Sequence, residues 1–253
     1  MAEKILVDAL ILAGAISEPE MDPGNVYKNR AMIPINGKSM LDWVAYALKS
    51  SSSIGKIAAI GDVQSEYIDE IIPPKESLIE NIRFGSESFS DSEYILIVCS
   101  DIPMLSTESV DDFIGKALES KADMAYPIIE KSDCLNKYPD MKRTYLTTAD
   151  GIFTGGNIFL ISKSFIKNNW QIISDGYNAR KHPIQLARLI GMETLFKVAV
   201  GRFFPSVLLI SDLEESISKM VSAKVKAIVS KYPEIGEDID KASDMEAAKK
   251  YLN

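Results

Sequence analysis

The chain has 253 residues, 46% of them hydrophobic and 25% charged, which is enough apolar material for one large core. A formal net charge of −8 leaves nothing to neutralise a phosphate backbone in bulk, so non-specific nucleic-acid binding is excluded and any phosphate-bearing ligand must be small and locally held. Two cysteines, Cys99 and Cys134, make no disulfide framework, and no window approaches 18 uninterrupted apolar residues, so no membrane span is expected.

Ile5 to Ala15 reads as the first strand, ending in small residues that allow close ligand approach. It is short, contains Asp8 and lacks a cleavage pattern, which points to a cytoplasmic protein rather than a secreted one. Ile16 to Arg30 carries Pro19, Pro23 and Gly24 and reads as a mobile loop over the strand end. Met32 to Ile35 is extended, Asn36-Gly37 is a turn, and Ser39 caps a helix with Asp42 at its third position and Met40, Leu41, Val44, Ala47 and Leu48 on one face. Lys56 to Ile60 is a second strand. Gly61-Asp62 and a weakly helical stretch follow, Pro73-Pro74 breaks the chain, and Ser77 to Phe84 resumes as a helix.

Tyr94 to Val98 is a continuous β-favouring run, the pattern of a strand buried on both faces of a parallel sheet. Pro103 ends it, so Asp101 lands at the carboxyl end of a central strand, where open α/β sheets bind ligands. A carboxylate there suits a metal or phosphate site; the alternative is a capping Asp in a turn. Val110, Phe113, Ile114, Ala117 and Leu118 mark a helix capped by Ser106 or Thr107, and Ala122 to Ile128 is a strand. Strand-helix repetition in this half predicts a parallel sheet under right-handed crossovers.

The second half changes character. Arg143 to Thr148 and Gly151 to Ile161 are two β-like runs around Ala149-Asp150-Gly151, a hairpin signal. A helical block follows: Lys163 to Ile173, Pro183 to Ile190, Met192 to Phe204, and a helix capped by Ser211 with Glu214 at its third position. Lys224 to Val229 is a last strand, and Ser243-Asp244-Met245-Glu246 opens a terminal helix with a capping box. With no repeat and no linker, residues 1–253 read as one domain carrying a helical insertion over 162–222.

Asp101 has a second acidic partner candidate in the cluster Glu237 to Asp244. Magnesium takes one or two carboxylates plus phosphate oxygens, and Asp240 suits that role; a solvated loop is the plain alternative. Thr154-Gly155-Gly156-Asn157 opens a strand-like run where two glycines admit a ligand to the backbone and Asn157 could bond an acceptor hydroxyl, unless the pair marks a bulge. Arg180, Lys181, His182 and Arg188 are the densest local cations and could grip an acidic acceptor, or simply start a basic helix. The apolar residues that follow them suit core packing first, and a homodimer contact or a greasy acceptor second.

Four segments occur in a telling order: Leu12-Ala13-Gly14, then Arg30 to Leu41 with its Pro34-Ile35-Asn36-Gly37-Lys38 core, then Ser100-Asp101-Ile102-Pro103-Met104-Leu105, then Asp238 to Met245. In this order they resemble the MobA-like NTP transferases of the nucleotide-diphospho-sugar transferase superfamily. The resemblance implies a three-layer α/β/α Rossmann-like sheet of the GT-A type, mostly parallel with an antiparallel hairpin region. It also implies a nucleoside triphosphate and a small-molecule acceptor as partners, Mg2+ as cofactor, and attack of an acceptor oxygen on the α-phosphorus with release of pyrophosphate. By matched position, Leu12, Ala13, Gly14, Arg30 and Ser100 would bind the nucleotide, Arg30 and Asp101 would serve catalysis, Asp101 and Asp240 would hold the metal, and Lys38 would be structural. Arg30 stands where the family usually has a lysine, and an exposed loop arginine is its alternative. The segment Gly14-Ala15-Ile16-Ser17-Glu18-Pro19-Glu20 departs from the family's Gly-Gly-x-Gly-x-Arg loop, since a proline and two carboxylates make a poor anion nest. Two rival readings stay open: a non-catalytic nucleotide sensor on the same fold, and a metal-dependent glycosyltransferase, although the latter's usual Asp-x-Asp is Asp101-Ile102-Pro103 here.

Overall fold

The first apolar run forms β1 (Val7–Leu12) in the computed structural model, which describes residues 5–179, 197–198 and 204–252. A small hairpin of β2 (Pro34–Ile35) and β3 (Lys38–Ser39) follows the long loop, with Asn36 and Gly37 both at positive φ as an Asn-Gly turn requires. Ser39 then caps α1 (Met40–Ser50) by accepting the Asp42 N–H, a bond worth about 1 kcal/mol. β4 (Ile54–Ile60), β5 (Glu70–Ile72), α2 (Leu78–Glu87), β6 (Tyr94–Cys99) and α3 (Thr107–Ser120) complete the first half. The stretch expected to be weakly helical after Gly61 instead supplies β5, an edge strand whose conformation comes from pairing with β4 rather than from local propensity.

β5, β4, β1 and β6 are consecutive and parallel. The register sets Leu12 level with Ile60 on one side and Cys99 on the other, so the chain leaves β1 and β6 side by side on one edge of the sheet.

Beyond β6 the chain departs from the expected order. β7 (Met124–Glu130) is followed by an unforeseen short helix, α4 (Lys131–Lys137), then by the hairpin β8 (Leu146–Thr148) and β9 (Gly151–Gly155). The run read as one strand from Gly151 to Ile161 breaks at Gly156-Asn157. Its first part pairs with β7 and β8, and its second, β10 (Ile158–Ser162), inserts antiparallel between β6 and β7. α5 (Lys163–Ala179) and α6 (Ile210–Val221) follow, and β11 (Val225–Ser230) pairs parallel with the other edge of β7. α6 starts one residue before the expected Ser211 cap: Leu209 is the cap residue, and the Asp212 carboxylate, not Glu214, accepts its N–H. Glu214 instead reaches β11, accepting from the Ala227 N–H and from Lys226, which blunts an open sheet edge.

α1 and α3 cover one face through Leu41, Val44, Leu48, Val110 and Phe113. α2, α5 and α6 cover the other, where Leu10, Ile95, Ile97, Phe165 and Trp170 pack. The terminal helix, α7 (Ala242–Ala248), begins at Ala242 after Lys241 without the expected Ser243 capping box, because Asp244 turns back to accept the Asp240 N–H. Met21, Ile35, Met40, Tyr138, Ile239 and Ala248 form a third cluster that fastens the long loop and the C-terminal segment onto the ligand edge of the sheet. No described helix is long and apolar enough to cross a membrane.

Candidate active site

The long loop after β1 is tied down rather than loose. Ile16 bridges to Asn29, the Met21 and Asp22 N–H groups donate to the Glu18 carbonyl, and Asp22 accepts the Tyr27 N–H. Buried Asn29 closes the loop: its amide donates to the Ala13 carbonyl at 2.7 Å and its oxygen accepts the Ala31 N–H at 2.9 Å, starting the short 3-10 turn of Arg30–Met32. That turn aims Arg30 across the end of β1 at the end of β6. There the Ser100 N–H donates to the Leu12 carbonyl, and the Asp101 carbonyl accepts the Ile239 N–H at 2.8 Å. This last bond docks the C-terminal acidic loop, so Asp240, far away in sequence, arrives beside Asp101.

Arg30 joins them. Its guanidinium pairs with the Asp101 carboxylate and lies 3.5 Å from Asp240 Oδ1, and its side chain is only 13% exposed, so it is no free loop arginine. Burial, offset by Arg30 and reinforced by the Asp238 charge, pushes the Asp101 carboxyl above the usual carboxylate range. Burial and the neighbouring Asp238 push Asp240 the same way. Asp101 and Asp240 share one arginine, and the Asp238 charge adds to theirs, so this pair is short of positive charge. The half-buried Cys99 thiol beside them is pushed up to about 12, chiefly by desolvation, and stays neutral.

Hard carboxylate oxygens lacking a full complement of cations suit magnesium. Two of them with no third ligand match an ion that completes its shell with water and substrate phosphate, and among the described residues no cluster of three acidic, His or Cys side chains could hold a metal unaided. Beside them the N–H groups of Gly14 and Ala15, both exposed, make no hydrogen bond among the described residues and form a small donor patch at the end of β1.

A second arginine shapes the adjoining cleft, about 340 Å3 in volume. Arg143 pairs with Asp238 and donates to the Gly155 carbonyl at 3.2 Å, while Lys142, Thr144, Gly156, Asn157 and Asp240 line the same space. Beneath it Glu237 is fully buried with neither carboxylate oxygen partnered among the described residues, and Arg143 Nε and the Tyr145 hydroxyl are also unmatched there. Burial pushes the Glu237 carboxyl up to about 7, against the pull of Arg143.

The structure thus assembles Arg30, Asp101 and Asp240 in one place, and Gly155, Gly156 and Asn157 in the cleft beside them. Asn157 is also structural, its amide donating to the Gly236 carbonyl at 3.2 Å. Leu12, Ala13 and Ser100 are buried, with the Leu12 and Ala13 side chains in the core clusters, so these residues reach the strand end through the backbone leaving β1. Lys38 is structural as expected, lying over the rings of Trp43 and Tyr46 at 4.6 and 4.8 Å. Arg180 and Lys181 lie outside the described residues, as do His182, Arg188 and the expected helix from Pro183 to Ile190. The sequence names Glu237 and Asp238 only as members of the acidic cluster and gives Arg143 no role. The available signal was a Lys142-Arg143 pair ahead of a hairpin strand, which has no meaning until the hairpin is folded against the acidic loop.

An α/β sheet whose central strand ends in a carboxylate, with a second carboxylate docked from the C-terminus and open amides at the neighbouring strand end, defines a nucleotidyltransferase-type domain. The chain belongs to the MobA-like NTP transferase domain family, whose profile matches residues 9–167. Family membership makes it an NTP-using enzyme of the nucleotide-diphospho-sugar transferase superfamily. A hypothetical transferase from Thermus thermophilus is similar at 29% identity and a TM-score of 0.85, over 95% of this chain and 100% of that one. The fold is shared by CMP:2-keto-3-deoxy-manno-octonic acid synthetase complexed with CTP, at 10% identity and a TM-score of 0.58 over 97% of both chains. It is also shared by 4-diphosphocytidyl-2C-methyl-D-erythritol synthase from Anaerococcus prevotii, at 12% identity and a TM-score of 0.59 over 98% of this chain and 96% of that one. No curated protein matches the sequence.

Proposed function

We propose that the protein transfers a nucleoside monophosphate from an NTP to a small acceptor with release of pyrophosphate, in a magnesium-dependent reaction. The observation that carries this reading is Arg30 shared between Asp101 and Asp240 next to the open Gly14 and Ala15 amides. Asp101 and Asp240 would hold the magnesium, which when bound neutralises the charge of the triphosphate. Arg30, freed from the two carboxylates, would turn its guanidinium to the phosphates, where its forked donors match phosphate oxygens. The Gly14 and Ala15 amides would orient the nucleotide, and the Arg143 cleft would place the acceptor. This division leaves the protein to position and neutralise, which is most of what phosphoryl and nucleotidyl transfer demands.

Pyrophosphate release with magnesium and each of four NTPs over an acceptor panel tests the reading, CTP first because it is bound in one structural neighbour. Turnover with one NTP, abolished in Asp101→Asn with the fold retained, is expected. No NTP-dependent turnover or thermal stabilisation, or an Asp101→Asn variant as active as wild type, defeats it. Glu18, Pro19 and Glu20 in the phosphate loop favour one other reading, a nucleotide-binding protein without turnover; saturable NTP binding with no pyrophosphate release across the whole panel would select it.

A further inference from the structure

The polar Arg143 cleft has an apolar neighbour. Between α6 and the face of β7 and β11 lies a chamber of about 300 Å3, walled by Ile128, Leu146, Phe153, Leu213, Ile217 and Ala227. The two spaces share a wall: Tyr126, Thr154 and Gly155 line both. The Gly155 carbonyl faces the polar side, where it accepts from Arg143. The Tyr126 hydroxyl rests against the Gly155 Cα, where a Cβ would fall 2.1 Å from the oxygen, so only glycine admits the ring there. An apolar chamber of this size beside a few converging polar groups has the composition of a small-ligand site, not of a packing fault.

We propose that the acceptor is amphiphilic, an alkyl-type monophosphate whose phosphate lies in the Arg143 cleft and whose apolar body enters the α6 chamber. This rests on the nucleotidyltransferase reading and names its substrate class. The two spaces meet at Tyr126, Thr154 and Gly155, and the acceptor would span them with its charged end at Lys142 and Arg143, next to Asp240 and the nucleotide side. Of the described carboxylates of the cleft, Asp238 is paired with Arg143, Asp244 accepts the Asp240 N–H, and Asp240 would hold the magnesium of the proposed reaction. An acceptor oxygen that is already anionic needs no base from them. In the transfer, that phosphate oxygen bonds to the α-phosphorus, the bond from the α-phosphorus to the oxygen bridging to the β-phosphate breaks, and pyrophosphate leaves with the electron pair. No proton has to be removed.

Calorimetric titration of the full chain with inorganic phosphate and with octyl phosphate, below its micelle concentration, tests the path. Octyl phosphate is expected to bind at least tenfold more tightly than phosphate. Ala227→Phe, which fills the chamber, should erase that gain and leave phosphate binding unchanged, whereas Arg143→Gln should weaken both. Ile217→Ala enlarges the chamber and should shift the preference from octyl towards decyl phosphate, which keeps the test decisive if the filled variant does not fold. Equal affinity for the two wild-type ligands, a gain that survives Ala227→Phe, or an unchanged chain-length preference in Ile217→Ala overturns the proposal. Magnesium-CTP stabilisation measured on the same samples separates the two failures: loss of nucleotide binding strikes the functional reading, while normal nucleotide binding without an alkyl gain strikes only this inference.

Discussion

Replacing Glu237 with Gln should make the protein less sensitive to alkaline pH. Glu237 is fully buried and neither oxygen has a partner among the described residues, so its neutral, protonated form is the one the interior accepts. Its carboxyl is pushed from 4.5 up to about 7, which means that the folded state holds this proton more tightly than the unfolded chain does. The favourable contribution is therefore complete below about pH 4.5 and is lost as pH rises through about 7. The displacement corresponds to about 3 kcal/mol between the two limits, an upper figure because Arg143 and relaxation of the site both soften the cost of the charge. Urea unfolding of wild type and Glu237→Gln at pH 5, 6, 7 and 8 measures it. The difference between the two proteins isolates this residue from Asp101 and Asp240, whose raised carboxyls act with the same sign in both. Wild type should lose up to about 2.5 kcal/mol relative to the variant between pH 5 and pH 8, because part of the effect is already gone at pH 5. Parallel stability curves would refute the reasoning and show that Glu237 is charged and compensated at every pH.

Arg30→Ala should cost about 2 kcal/mol of stability without ligand, since it strands the half-buried Asp101 carboxylate, and it should also abolish NTP-dependent stabilisation; chemical denaturation and a thermal shift with magnesium and NTP read the two effects separately. Arg30→Lys keeps the charge but not the fork that spans two carboxylates, so it should restore stability more fully than nucleotide binding. Gly85→Ala should cost about 1–3 kcal/mol, because the new Cβ would fall 2.4 Å from Leu10 Cδ2 where α2 presses on β1. Combining it with Leu10→Ala should cost less than the sum of the two single changes, and simple additivity in urea titrations would refute the contact.

Neighbouring residues settle local features, so these were legible before the fold. The buried run of β6, the Asn36-Gly37 turn and the Ser39 cap each depend on side-chain chemistry within a few positions. The expected three-layer architecture followed from strand-helix repetition together with the family resemblance, and it is the architecture observed. The Ser243 capping box failed because Asp244 found a partner in Asp240 that local pattern cannot rank against a cap. β5 was missed because its conformation is imposed by β4, and the Gly151–Ile161 run was not divided because nothing local says that its second half will slot between β6 and β7.

The candidate site divides in the same way. By itself the sequence placed Asp101 at a strand end, marked Asp240 as its possible partner, and set Gly155, Gly156 and Asn157 where a ligand could approach the backbone. Only the tertiary structure decided that Arg30 holds Asp101 and Asp240 together, because that meeting depends on the Asn29 tie to Ala13 and on the Ile239 bond to Asp101. It alone set Arg143 on Asp238, buried Glu237 with no partner among the described residues, and laid an apolar chamber against a polar cleft across Tyr126 and Gly155. The physical reason is range: turns, caps and strand ends are written in adjacent side chains, whereas charge compensation, burial and cavity shape depend on which distant segments the closed sheet brings within a few ångströms.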